Sequence, residues 1–254
     1  MERPQTVVFT DLDGTFLDHE TYQPGPALGA LEELLAAEIE VYFCSAKTRA
    51  EQQAIAGEIG VEVGFIVENG AALYAADGSA AVFGMPYLQV REALHNAATA
   101  CGAIVRGYGD MDVAEVMEHT GLDERRARYA QDREFTESFI IQQGGPYELS
   151  QAMGEYGLRL QRGARFWTAQ GEHDKGIAVR HVIAGLGANV ESFGLGDFDN
   201  DIEMLVAVDT PMLVQQHDGT WRDLHVEDMV RLSGIGPIGW QGGAEMILRR
   251  HNSR

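Results

Sequence analysis

The chain has 254 residues, of which 45% are hydrophobic and 23% charged. That length suits one large domain, or a core carrying a smaller insert, with enough apolar sequence to bury a real core. With 39 acidic residues against 19 Lys and Arg, the formal net charge is −20. Nucleic acids and anionic membranes both need a positive footprint, so neither is an expected partner. No run of eighteen apolar residues occurs, so no membrane-spanning helix is expected. Residues 1–5 lead straight into an apolar run with no basic stretch or cleavage pattern, so no secretory signal is expected. Cys44 and Cys101 are too sparse for a disulfide framework and lack C-x-x-C spacing. A reducing, cytoplasmic location follows as the expectation. Cys44, beside Val41, Tyr42 and Phe43, reads as a small buried hydrophobe.

In chain order, residues 6–10 (TVVFT) are β-branched and apolar and predict a buried strand. Pro24, Gly25 and Pro26 mark a loop, after which Leu28, Leu31, Leu34 and Leu35 recur at helical spacing. A second buried strand is predicted over 40–44 (EVYFC), then a polar turn and a helix, and a third strand over 64–67 (GFIV). Alternating strands and helices predict a doubly wound parallel sheet of the Rossmann-like α/β class. The pattern changes near residue 85. Residues 88–100 read as an amphipathic helix, 103–106 as extended and 112–120 as helical. Residues 135–142 (FTESFIIQ) alternate like a half-exposed strand, and a helix and a strand follow to about residue 167. Such mixing predicts an α+β insert, an antiparallel sheet with helices on one face. Parallel-type strands return over 192–196 and 211–215. The expected organisation is a discontinuous core, 1–85 plus 170–254, with an insert over 86–169.

Four segments carry chemistry. Asp11 and Asp13 (DLDGT) directly follow the first strand, where the ligand crevice of an open α/β sheet lies. Asp11 is placed to attack phosphorus, and Asp13 to protonate the leaving oxygen and then deprotonate water. A solvated turn is the alternative for this segment alone. At the end of the second strand, the Ser45 hydroxyl and adjacent N–H groups can form an anion site, with Lys47 and Arg49 adding cations, or Ser45 can cap the next helix with the basic residues solvated. Lys175, at a helix start, can neutralise a phosphoryl group and hold the nucleophile. Last, residues 194–201 (GLGDFDND) cluster carboxylates at a strand tip, a setting for Mg²⁺. Asp197 is the best direct ligand there, with Asn200 and Asp201 completing the site by hydrogen bonds or through water. An EF-hand reading fails, because its sixth position is Ile202 and its twelfth Val208. The eight histidines form no H-x-x-x-H pair, so zinc is not expected.

In that order, these motifs resemble the haloacid dehalogenase-like hydrolase superfamily, with the insert resembling a type C2 cap. More closely, the chain is similar to the mannosyl-3-phosphoglycerate phosphatase family. The segments carrying this are FTDLDGTFLD (9–18), SAKTR (45–49), FIVENGAALY (65–74), GYGDMDVAEVMEHTGL (107–122), REFTESF (133–139), RFW (165–167) and GLGDFDND (194–201). The resemblance implies Asp11 as nucleophile and Asp13 as acid/base. It implies Mg²⁺ held by Asp11, the Asp13 carbonyl and Asp197, and a phosphoryl group held by Ser45 and Lys175. Ser45 and Phe16 stand where the family often has Thr and Leu; the hydroxyl and the apolar character are kept. The implied substrate is a phosphorylated sugar–glycerate, with mannose and glucose both open. Arg133 and Arg165 are candidates for its carboxylate. Glu68, Asn69 and Gly70 read either as a plain turn or as substrate contacts, and Tyr108 and Trp167 either as core or as sugar-stacking rings. Rival functions are a phosphatase for a hexose phosphate or a sucrose-phosphate-like ester, a phosphomutase, and a catalytically silent sugar-phosphate-binding module.

Overall fold

A computed structural model describes residues 4–163 and 166–253. The chain divides into two compact units, one formed by residues 1–46, 55–81 and 174–254, the other by 47–54 and 82–173.

The first unit is built on a parallel sheet of β1 (Gln5–Thr10), β2 (Glu40–Cys44), β3 (Gly64–Val67), β10 (Val190–Gly196), β11 (Thr210–Gln215) and β12 (Val230–Ile235), extended by β4 (Ala72–Tyr74) and β5 (Ala80–Val82). The order across the sheet is β12-β11-β10-β1-β2-β3-β4-β5. Pairing is parallel from β12 through β3, and β4 turns back antiparallel on β3. Buried parallel strands read as near-continuous apolar runs, and β1 and β2 have only one residue each that is not buried. Side chains alternate between the two faces. Val8, Val41, Phe43, Phe193 and Leu195 meet α1 (Ala27–Ala36), α2 (Arg49–Ile59) and α9 (Pro237–Asn252) in one core, closed by Trp240, Ala244 and Ile247. Helices α7 (Lys175–Leu186) and α8 (Ile202–Val206) pack together, and α7 lies against β1 and β10. Two layers of helices around one sheet make the doubly wound class. From β1 the chain winds outward to β2 and β3, then returns to β1's other edge as β10. The crevice at such a switch in strand order is where α/β sheets bind ligands.

The second unit holds an antiparallel sheet, β6-β7-β9-β8, formed by Ile104–Gly107, Glu137–Gln143, Trp167–Gln170 and Arg159–Arg162. Phe139 and Ala169 pack beneath α3 (Tyr87–Cys101) and α6 (Pro146–Glu155). Ile140, one residue on and so on the opposite face, packs with Val116 of α4 (Val113–Thr120) and Ala127 of α5 (Glu124–Gln131). Helices therefore cover both faces, not one as the alternation of residues 135–142 suggests. The strand start, Glu137 to Phe139, is accordingly buried rather than half-exposed, and Ile140 is half-buried. Helix α4 starts at a capping box: Asp112 accepts from the Glu115 N–H, and Glu115 accepts from the Asp112 N–H, each at 2.9 Å.

Gly64 in β3 lies beside Tyr42 in β2, whose ring stacks on Phe9 with centroids 5.5 Å apart. A Cβ on Gly64 would stand 2.2 Å from that ring. Gly64→Ala is therefore expected to destabilise the chain by about 1–3 kcal/mol through overpacking, read by urea denaturation. Unchanged stability would mean that the Tyr42 ring swings aside without loss.

Candidate active site

Asp11 is the first residue past β1, and its N–H still donates to the Leu195 carbonyl of β10 at 2.9 Å. The chain then folds tightly. The Leu17 N–H reaches Leu12 O at 2.7 Å, and the Gly14 N–H reaches Leu17 O at 2.8 Å. Gly14 has φ +84° and passes so near Asp197 that a Cβ would stand 2.9 Å from its Oδ2. Glycine is needed there both for the conformation and for the approach. The buried Thr15 hydroxyl donates to Asp197 Oδ1 at 2.8 Å, tying the loop after β1 to the loop after β10.

Asp197 directly follows β10, as Asp11 follows β1. Its loop is closed by Asp201, whose Oδ2 accepts from the N–H groups of Asp197 and Phe198, both at 3.0 Å. The other oxygen of Asp201 accepts from Lys175 Nζ at 2.7 Å. The same ammonium donates to Asp11 Oδ1 at 2.6 Å. Lys175 is fully buried at the start of α7, where Asp174 caps the helix by accepting from the Ile177 N–H at 2.9 Å. Oxygens of Asp11, Asp197 and Asp201 lie within 4.8 Å of one another, and all three residues are buried.

Burial pushes the Asp11 carboxyl up to about 7, with Lys175 opposing and the Asp201 and Asp13 charges adding to the rise. Asp197 is raised for the same reason, burial first and then the charges of Asp201 and Asp11. Burial alone would lower Lys175, but Asp11 and Asp201 outweigh it and hold the ammonium above its ordinary value. Three buried carboxyl groups thus cluster near one ammonium, which bonds two of them. Asp201 has both oxygens engaged, whereas Oδ2 of Asp11 and Oδ2 of Asp197 take no protein hydrogen bond among the described residues. Excess negative charge and open carboxylate oxygens fit a hard divalent cation.

Ser45 ends the run of β2, one strand over from β1, and is buried. Its carbonyl accepts from the Asn69 N–H at 2.9 Å, and its N–H donates to Ile66 O at 3.1 Å. Glu68, Asn69 and Gly70 have φ of +47°, +60° and +91°, a left-handed turn with both polar side chains buried. Gly70 packs on the backbone just before Lys175, where a Cβ would fall 2.0 Å from Asp174 O. This turn therefore abuts both Ser45 and the start of α7. Asn200, half-buried, lies in the short 3₁₀ turn Asp199–Asp201. Asp13 is half-buried and bridges to Leu17.

The structure thus gathers Asp11, Lys175, Asp197 and Asp201, with Ser45 and residues 68–70 on the same unit. Half-buried Lys47 and exposed Arg49 belong to the second unit, as does Arg133. The Arg133 guanidinium donates to the Thr136 carbonyl at 3.0 Å and to its hydroxyl at 2.8 Å, bracing the connection from α5 to β7. Arg165 lies outside the described residues. Tyr108 is buried in the core of the second unit, edge-on to Phe166 with centroids 4.9 Å apart. Sequence reasoning passed over Thr15 as a partner of Asp197, although its place in the DLDGT segment marks it. The hydrogen bonds of Asp201 close its loop and reach Lys175.

The chain is similar to known proteins. A profile of haloacid dehalogenase-like hydrolases matches residues 8–97. A glucosyl-3-phosphoglycerate/mannosyl-3-phosphoglycerate phosphatase from Methanococcoides burtonii is 33% identical over 97% of this chain and 98% of its own. A mannosyl-3-phosphoglycerate phosphatase from Pyrococcus furiosus is 30% identical over 89% of this chain and 98% of its own. In fold, the chain matches a haloalkanoate dehalogenase superfamily phosphatase from Bacteroides thetaiotaomicron, with TM-score 0.70 at 17% identity over 99% of this chain and 96% of that one. Near-complete alignment with two such phosphatases, together with this cluster of aspartates and lysine, places the chain in the haloacid dehalogenase-like hydrolases, as a member of the glucosyl-3-phosphoglycerate/mannosyl-3-phosphoglycerate phosphatase family.

Proposed function

We propose that this phosphoric monoester hydrolase removes phosphate from a mannosyl- or glucosyl-3-phosphoglycerate, through an aspartyl-phosphate on Asp11 and with Mg²⁺. The observation that carries the reading is Asp11 itself, held by Lys175 through one oxygen while the other stays open at the switch in strand order. Support for the substrate comes from relatives with that activity in their names, matched along nearly the whole chain. Free Cys44 and Cys101 suit a cytoplasmic setting.

In the first step, the open Asp11 oxygen attacks phosphorus and the bond to the ester oxygen breaks. Asp13 gives its proton to that oxygen, freeing the glycosylglycerate. In the second step, Asp13 takes a proton from water, the water oxygen attacks phosphorus, and Asp11 leaves as a carboxylate with inorganic phosphate released. Lys175 keeps Asp11 aligned and, with the Ser45 hydroxyl, balances the phosphoryl charge. The open Asp197 oxygen and the Asp13 carbonyl, with the Asp11 oxygen not spent in attack, would hold magnesium, and Asn200 and Asp201 would fix that loop. Bound there, the cation would neutralise phosphoryl charge and help orient the group for transfer. The second unit serves as the cap that selects the rest of the ester. Arg133 and Arg165 are the candidates for the glycerate carboxylate, Lys47 and Arg49 are cations for the anionic ester, and the Glu68-Asn69-Gly70 turn is a further candidate for substrate contacts.

Asp11→Asn is nearly isosteric but a poor nucleophile, so kcat should fall below about a hundredth with folding intact. Retained turnover would remove Asp11 from that role. Turnover should need Mg²⁺, vanish in excess chelator and be inhibited by Ca²⁺, whose longer bonds and higher coordination spoil in-line geometry. Asp197→Ala should raise the Mg²⁺ requirement sharply or abolish turnover; full activity under chelation refutes the metal. A phosphate-release screen over glycosyl-3-phosphoglycerates, hexose phosphates and 3-phosphoglycerate tests the substrate, and preference for a hexose phosphate would replace it. Within that screen, Arg133→Ala should cost about ten- to a hundredfold in kcat/KM on the glycerate substrate, and far less on a small ester without a carboxylate. Equal losses on both would assign Arg133 to its Thr136 contacts alone.

A further inference from the structure

Behind the nucleophile lies a buried polar chain that the chemistry above does not use. Thr10, the last residue of β1, is fully buried, and its hydroxyl donates to the backbone carbonyl of Asp11 at 2.7 Å. The indole N–H of Trp240, in the first turns of α9, donates to that same hydroxyl oxygen at 2.8 Å. Trp240 is also fully buried and is fixed by an edge-on contact with Phe16, centroids 5.0 Å apart at 72°. The start of α9 presses on the loop after β1 at a second point. Gly236, at φ +48°, is so close that a Cβ would stand 3.2 Å from the Gly14 carbonyl.

A hydroxyl rotor can point its one proton in several directions. An indole N–H only donates, so Trp240 occupies a lone pair of Thr10 Oγ1 and leaves the proton free to point at Asp11. The Asp11 carbonyl lies just past the end of the strand, where a buried acceptor still needs a donor. With its N–H on Leu195 and its carbonyl on Thr10, the Asp11 peptide is pinned on both sides. From this geometry we infer that Trp240 and Thr10 form a positioning relay that fixes the backbone of Asp11, and so the line of attack of its carboxylate. The relay rests on Asp11 being the nucleophile. It adds two positioning residues to that role, neither of which touches substrate.

The test uses the full-length enzyme and p-nitrophenyl phosphate. Thr10→Val keeps the shape and removes the hydroxyl, Thr10→Ser keeps the hydroxyl, and Trp240→Phe keeps an aromatic ring without the N–H. Small displacements at a reacting group can cost up to about a hundredfold, so Thr10→Val and Trp240→Phe should each lower kcat about tenfold with KM within about twofold. Thr10→Ser should retain most of kcat, and the Thr10→Val/Trp240→Phe double variant should lose little beyond Thr10→Val, because both act through one chain of bonds. A second readout is independent of turnover. Among the indole N–H resonances of the three tryptophans, the one missing in Trp240→Phe should shift in Thr10→Val and hold its place in Thr10→Ser. The relay is overturned if folded Thr10→Val keeps wild-type kcat, if Thr10→Ser falls as far as Thr10→Val, or if the Trp240 resonance ignores Thr10→Val. A poorly folding Thr10→Val leaves the decision to Trp240→Phe, where an unchanged kcat overturns it equally. Failure of the phosphatase reading would show instead as wild-type turnover that survives Asp11→Asn.

Discussion

One buried ammonium organises the catalytic end of this molecule. Lys175 is sealed from solvent and donates to Asp11 and Asp201, residues 164 and 26 positions away in sequence. Isolated, such a charge in a dry interior would be too costly to keep; paired with two carboxylates it becomes a rigid joint. Removing one partner of a buried pair of this kind typically costs about 3–5 kcal/mol, so the strand-end loops and the start of α7 depend on each other. Burial first, and then the charges of their neighbouring carboxylates, make Asp11 and Asp197 hold their protons more tightly than ordinary carboxylates.

The division of labour among the aspartates follows from their hydrogen bonds. Asp197 and Asp201 look equivalent in the GDFDND segment, yet Asp201 spends both oxygens on Lys175 and the loop N–H groups, and Asp197 keeps one open. Outside the loop, Arg222 forks onto Asp199 at 2.8 and 2.6 Å and lies 4.7 Å above the Phe198 ring. The acidic loop is thus held from within by a buried carboxylate and from outside by a guanidinium. Similarly, the turn at residues 68–70 stores strain of about 1–3 kcal/mol for each non-glycine residue held left-handed. Its burial against Ser45 and Asp174 keeps it in place.

Much of this could be read from the residues. β1 and β2 announce themselves because strands buried on both faces are continuous apolar runs, and a carboxylate or hydroxyl directly after such a run falls at the sheet's binding edge. Other features depend on tertiary packing. α9 escaped notice because Gly239, Gly242 and Gly243 interrupt its apolar period; Gly239 and Gly243 are close-packing positions, where a Cβ would meet Gly234 O at 2.4 Å or Leu195 and Leu232 at 2.8 Å. α5, with the sequence ERRARYAQ, hides two small core alanines among charges. Arg133 looked like a free fork for a carboxylate, but composition cannot show that Thr136 lies within its reach. The link from Trp240 to Thr10 spans 230 positions and has no signature in either local sequence.

The pairing of β1 with β10 also bears on how the chain assembles on the ribosome. β1 precedes the other strands of its sheet in sequence, yet its neighbour on one side is made only at Val190–Gly196. Until then the nascent chain carries an unpaired, strongly apolar strand edge, the kind of surface that invites association with other chains. Residues 82–173 lie together in sequence and hold all four strands of the antiparallel sheet, so that sheet can close while β1 still waits. Closing the main sheet requires a loop of some 180 residues, a non-local step of the kind that slows folding. The same connectivity that brings Asp11 and Asp197 side by side leaves chains terminated before β10 with Asp11 at the tip of a half-built sheet.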